Sequence, residues 1–147
     1  SMQAEKQETV PFERELNIVK DYLALEHIRF EDRLRVEYDI DEDTLDQPIP
    51  PMMLQTLVEN AIKHGISKAK EGGTIKIISD FRQSHHELIV QNSGTISEIA
   101  DPEGFGLQST RSRLKLLFGD KASFTIEATK NNIVEAKIIM PVQGVLA

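Results

Sequence analysis

The chain has 147 residues, a formal net charge of −7 and no cysteine. That length suits one domain with its own core. The acidic balance, with no basic stripe, argues against nucleic acid as a partner, and the missing cysteines exclude a disulfide framework and a thiolate metal site. No run reaches the roughly 18 apolar residues that span a bilayer and no secretory leader is visible, so nothing predicts membrane contact by this stretch. Ser1-Met2 reads as a tag remnant, residues 1–10 as a disordered lead, and the native protein as longer than these 147 residues.

From Pro11 the pattern turns helical. Phe12, Leu16, Val19, Leu23 and Phe30 form one stripe, with Ile18, Tyr22 and Leu25 beside it, which predicts an amphipathic helix ending near Glu31-Asp32. Leu34, Val36, Tyr38 and Ile40 then alternate with Arg35, Glu37 and Asp39, the signature of a strand with one buried face. Beyond an acidic turn, Leu54, Leu57, Val58, Ala61 and Ile62 recur at the spacing of one helical face. Pro50 and Pro51 stand where a first turn accepts proline, and Gly65 where a helix stops. The opposite face of this helix carries Thr56, Glu59, Asn60 and Lys63, an unusually compact set of carboxylate, amide and ammonium. Ser67 to Gly73 is a loop. Thr74–Phe81 and Glu87–Gln91, separated by a short turn, predict an antiparallel hairpin.

Asn92-Ser93-Gly94 closes that hairpin, and a polar segment runs on to Glu103. Gly104-Phe105-Gly106 opens a second candidate functional helix, Leu107 to Phe118, with Gly119-Asp120 as its stop. Two further alternating runs flank a turn at Asn131-Asn132, and Pro141 ends the last. The order of elements predicts a two-layer α/β sandwich of the α+β kind, with helices on one face of a mixed, largely antiparallel sheet. Strands do not alternate with crossover helices throughout, which excludes a doubly wound order. The domain is expected over residues 11–142, with 11–32 as a linking helix and 143–147 as a tail.

Three motifs carry chemistry. Pro50-Pro51-Met52-Met53-Leu54-Gln55-Thr56-Leu57-Val58-Glu59-Asn60-Ala61-Ile62-Lys63-His64-Gly65-Ile66 resembles the N-box of the GHKL superfamily, in the form found in LytS-like sensor histidine kinases. Gly104-Phe105-Gly106-Leu107, leading into Arg111-Ser112-Arg113-Leu114, resembles the G2 box of the same kinases, and Val90-Gln91-Asn92-Ser93-Gly94 resembles their G1 box in position. The resemblance extends over about Leu16 to Val142. It implies a Bergerat-type ATP-binding fold and the catalytic domain of a two-component histidine kinase. Its cofactors would be ATP and Mg²⁺. Phosphate would pass to a histidine on an upstream dimerisation domain of the same protein, a homodimer at full length, and on to a response regulator. The setting implied is a cytoplasmic domain of a membrane sensor.

Residue by residue, the resemblance assigns Mg²⁺ to the side-chain oxygen of Asn60, phosphate to Lys63, and the adenine amino group to Asn92, where the superfamily usually has aspartate. Gly94 follows Asn92 in that box, and Ile96 stands where a second glycine would fall. Gly104, Gly106 and the N–H of Leu107 would cradle phosphates, as glycine-opened helix N-termini can. His64 would lie near the nucleotide, and Glu59 would assist Mg²⁺ or water. Each motif also has a plainer account: the polar helix face as surface, GxG as a helix-entry turn, Asn-Ser-Gly as a turn, His64 as packing and Arg111 and Arg113 as structural ion pairs. Thr56 occupies the place where ATPases of the superfamily carry a base, so slow hydrolysis is expected. None of His27, His64, His85 and His86 has the Pro-His-Phe context of the phosphoacceptor. Two rivals remain at this level: a stand-alone GHKL serine kinase, and a degenerate domain that only docks partners.

Overall fold

The computed structural model describes residues 8–93, 105–129 and 131–142. Its main sheet has five strands: β2 (Leu34–Ile40), β4 (Gly73–Arg82), β5 (His85–Ser93), β6 (Ser123–Ala128) and β7 (Ile133–Pro141), in the spatial order β2-β4-β5-β7-β6. β2 and β4 run parallel, and every other pair is antiparallel. The helices are α1 (Phe12–Phe30), α2 (Met53–His64) and α3 (Phe105–Phe118). A two-residue strand β1 (Val10–Pro11) pairs with β3 (Pro48–Ile49), tying the start of α1 to the approach to α2.

The strand pattern explains the two layers. On β4, β5 and β7 the residues of one face, including Ile75, Ile77, Leu88, Val90, Ala136 and Ile138, are buried, while Lys76, Glu87, Gln91, Glu135 and Lys137 lie on the other. A period of two sends these sets to opposite sides, and among the described residues helices cover only one side. The parallel β2–β4 pair needs a crossover, and α2 supplies it. Gly72 makes the sharp return into β4. Its φ of +75° is left-handed, and a Cβ there would collide with the Arg33 carbonyl.

The stripe read on α1 is the buried one: Phe12, Leu16, Val19, Leu23 and Phe30 are all inside. Ile18 and Leu25 are not, at 41% and 66% exposed. They sit roughly 120–140° round the helix from the core side, a position that apolar character alone does not override. On α2 the predicted apolar face is wholly buried against the sheet, with Leu54 and Val58 at 0% exposure. Each such side chain contributes about 1.5–3 kcal/mol on leaving water.

One polar group is enclosed in this core. His86 is fully buried, with its ring edge-on to Phe12. Its Nε2 lies 2.8 Å from Ser79 Oγ, which lies 2.7 Å from Thr44 Oγ1, and Thr44 donates to the Asp41 carbonyl at 2.6 Å. Thr44 spends its only proton on Asp41, so Ser79 donates to Thr44 and His86 donates from Nε2 to Ser79. Nδ1 is buried with no partner, so a proton there would be an unsatisfied buried charge and the ring is neutral near pH 7. Burial lowers its pKa to about 4 from the ordinary 6.5. As the pH falls, the unfolded chain takes up this proton near 6.5 and the folded chain only near 4. The stability is complete above 6.5 and declines between the two, by roughly 3 kcal/mol for a shift of this size. Urea titrations at pH 7.5 and pH 4.5 should show this loss in the wild type, and His86→Gln should lack that part of the pH dependence.

Candidate functional site

α2 crosses the sheet so that Asn60 and His64, one turn apart, overhang the ends of β5 and β7. Together with Asn92 on β5 they line a recess whose walls are Leu57, Ala61, Val90, Ile126, Val134 and Ala136. Two carboxamides and an imidazole thus meet at the edge of an apolar slot. The recess is narrow, with about 20 Å³ of cavity, and it presents these polar atoms along one side of its apolar walls. Asn92 is 6% exposed, and it lies opposite Ile75 on β4 and Val134 on β7. Gly65 makes room for it. A Cβ at Gly65 would run into Asn92 Nδ2 and stand 2.8 Å from the Ala61 carbonyl oxygen. The missing side chain lets the amide lie under the end of α2.

Among the described residues, no group of three or more His, Cys, Asp or Glu side chains comes together as a metal cage. The side-chain oxygens in the recess open to a hard cation are the neutral amide oxygens of Asn60 and Asn92, a sparse set that suits an ion that keeps most of its waters.

No family model matches the chain. It is 32% identical over 145 residues to the sensor histidine kinase/phosphatase LytS of Staphylococcus aureus, an alignment covering 89% of this chain and 25% of that protein. In fold it is similar to the catalytic domain of the histidine kinase ThkA, with a TM-score of 0.66 and 21% identity over 92% of this chain and 97% of that one. It is likewise similar to the histidine kinase domain of a blue-light activated kinase of Erythrobacter litoralis, with a TM-score of 0.66 and 17% identity over 90% of this chain and 61% of that one. This is a LytS-like histidine kinase catalytic domain. It spans about a quarter of the length of the LytS proteins it matches, and among its described residues no helix is long and apolar enough to cross a membrane.

In this LytS-like domain the residues singled out from the sequence divide among several places. Asn60, His64 and Asn92 share the recess. Glu59 does not: one residue further back on α2, it lines a separate groove with Thr56, Ser109 and Arg113, between the start of α2 and α3. Its Oε2 accepts from Gln55 Nε2 at 3.4 Å. Its charge also reaches Tyr22 on α1, whose hydroxyl is held above its ordinary pKa by burial first and then by Glu26 and Glu59. A step of about 100° per residue separates neighbouring side chains on a helix, which is why Glu59 and Asn60 face different openings. Lys63 is exposed at the end of α2. Gly106 lies in the first turn of α3, and the Leu107 side chain is buried in the core at 2% exposure, so only its backbone could meet an anion. Gly94 and Gly104 lie outside the described residues.

Arg111 is a structural clamp. It donates from Nη1 to the Phe124 carbonyl at 2.9 Å, and its guanidinium stacks 4.7 Å from that ring's centroid, fastening α3 to β6. Glu15 was not singled out from the sequence. It is buried on α1, and its Oε2 accepts the Met52 N–H at 3.0 Å, with Oε1 unpartnered. Met52 caps α2 at a φ of +71° without a side-chain cap of its own, so a carboxylate from another helix satisfies one of the orphan donors at the start of α2. The signal was legible: Glu15 stands in the Phe12–Val19–Leu23 stripe, where a charge needs a partner.

Proposed function

We propose that this domain binds Mg²⁺–ATP with the adenine in the recess beneath α2, and donates the γ-phosphoryl group to a histidine on a dimerisation domain of the same protein outside this chain. A response regulator then receives it, and in the full-length protein the domain lies on the cytoplasmic side of a membrane sensor. The observation that supports this reading is the convergence of Asn60 and Asn92, from different elements, on one apolar recess, with Gly65 leaving room for the Asn92 amide. The residues fit the groups they would hold. Asn92 can accept from an exocyclic amine through Oδ1, without the charge assistance of an aspartate. Val90, Ile126, Val134 and Ala136 exclude water around a ring. Asn60 would hold Mg²⁺, which when bound offsets phosphate charge. Thr56 sits outside the recess and has no basic group, so nothing at that position activates water and hydrolysis stays slow.

Calorimetric titration with a non-hydrolysable ATP analogue, with and without Mg²⁺, tests the binding. Saturable heat that strengthens with Mg²⁺ is expected. A folded protein giving no heat at millimolar nucleotide would overturn the reading and favour a docking domain. With labelled ATP and a separately supplied dimerisation domain, acid-labile label on histidine is expected. Acid-stable label on a serine of a partner would point instead to a serine kinase.

A further inference from the structure

Among the described residues β2 is an end strand of the main sheet, hydrogen-bonded to β4 on one side only. An end strand presents free backbone donors and acceptors, and charges or a neighbour usually deal with them. On its solvent face β2 carries Arg35, Glu37 and Asp39, all exposed. On its helix face Leu34 is buried, but Val36 is only partly covered and Tyr38 is 39% exposed, because an open groove runs between β2 and α1 beside Lys20, Ala24 and His27. Ile28, 75% exposed, stands close by on the same helix.

We propose that this edge takes a second copy of the same chain, β2 against β2 in antiparallel register about a two-fold axis at Val36. The charges select both the partner and the register. With Val36 on the axis, Arg35 faces the partner's Glu37 twice over, and Tyr38 comes level with the partner's Leu34, which is already buried in its own core. Moving the axis to Arg35, Glu37 or Asp39 sets that residue against its own copy. Moving it to Leu34, the first residue of the strand, leaves almost no overlap, and moving it to Tyr38 opposes Glu37 and Asp39. Directly opposed like charges are destabilising. An axis between residues would pair the apolar face of one copy with the charged face of the other. Val36 alone among the strand's central positions pairs opposite signs throughout.

The donors are only partly committed. Arg35 gives Nε to Thr74 Oγ1 at 3.2 Å and Nη1 to the Asp32 carbonyl at 3.2 Å, and Nη2 has no partner among the described residues. Arg33 lies in the turn Glu31–Arg33 ahead of the strand, with Nη2 3.4 Å from the Ala69 carbonyl and its guanidinium over Phe30, so the Arg35–Glu37 pair carries the selection. In this register the helix layers of the two copies share one side of a ten-stranded sheet. The partner's Val36 and Tyr38 fill the groove, and the two α1 helices flank the joint with Ala24 and Ile28. The contact is one strand wide, so a weak, salt-sensitive dimer is expected.

Sedimentation of the 147-residue chain from micromolar to about 1 mM, at low and high salt, reads this directly. A reversible dimer that weakens with salt is expected. Arg35→Glu and Glu37→Arg should each raise the dissociation constant at least tenfold, because each sets like charges opposite one another. An equimolar mixture of the two should restore association, since both cross-pairs then carry opposite signs. Both substitutions lie on the exposed face, and unchanged circular dichroism and thermal melting would show that the fold is retained. A wild type that stays monomeric at 1 mM, single variants that dimerise as the wild type does, or a mixture that fails to associate would each overturn the proposal.

Discussion

Replacing Asn60 with aspartate is expected to lower affinity for the Mg²⁺–nucleotide complex about 100-fold while leaving the fold intact. Asn60 is partly exposed on the polar side of α2, and its neighbours toward the core, Leu57 and Ala61, are not displaced by an isosteric carboxylate. The substitution removes an N–H donor and adds a full negative charge where a triphosphate is to bind. At an effective dielectric near 20, like charges about 4 Å apart repel by roughly 4 kcal/mol, and attraction of the new carboxylate to Mg²⁺ recovers part of that. Asn60→Ala separates the two effects, because it deletes the amide oxygen and adds no charge. Its Mg²⁺-dependent gain in affinity should vanish, while Mg²⁺-free nucleotide binds nearly as before. Titration calorimetry with and without Mg²⁺ reads both variants. Unchanged Mg²⁺ dependence in the alanine variant would remove Asn60 from the role of ligand.

Gly65→Ala is expected to have the second large effect, on the opposite end of the same recess. Gly65 has φ −108° and ψ −76°, so its backbone does not require glycine. Space does. The added methyl would displace the Asn92 amide from beneath α2, and it would also press on the Ala61 carbonyl oxygen, which belongs to the helix backbone and cannot swing aside. Overpacking of this kind costs about 1–3 kcal/mol, and the displaced amide no longer presents its oxygen to the slot. Thermal melting should therefore fall by several degrees, and nucleotide affinity should drop with Mg²⁺ present or absent. That pattern differs from Asn60→Ala, whose loss is confined to the Mg²⁺-dependent part. If Gly65→Ala melts and binds as the wild type does, Asn92 is not held where the recess requires it.

Much of the scaffold is legible in the sequence, because it depends on periodicity. The stripe of α1, the buried face of α2 and the alternation in β2, β4, β5 and β7 are short-range patterns. Burial of one face follows directly from them, except on β2, where of the predicted face Leu34 alone is fully buried and Tyr38 is exposed. Gln83 and Ser84, at φ of +54° and +70°, make the β4–β5 turn without the Asn-Gly signal that usually marks one. The predicted hairpin nevertheless forms, because two strong strands flank the turn. The parallel pairing of β2 with β4 was less accessible, since only the path of α2 over the sheet determines it. Glu15 illustrates another kind of gap: its position in a buried stripe was visible, but its partner, the Met52 N–H, lies 37 residues away.

What the amino-acid order determined by itself is therefore the set of elements, the inward face of each, and the polar groups, Asn60 and Asn92 among them, that a nucleotide site would need. Local spacing is sufficient for these, since neighbouring side chains on a helix or strand have fixed relative directions. Only the tertiary structure decided which groups meet. It brought Asn60, His64 and Asn92 to one slot, and it turned Glu59 toward a different groove although it adjoins Asn60 in the chain. It also made Gly65 a spacer for Asn92 and left the outer edge of β2 open. These are relations between side chains tens of residues apart, set by how α2 crosses the sheet, and no pattern of nearest neighbours contains that crossing.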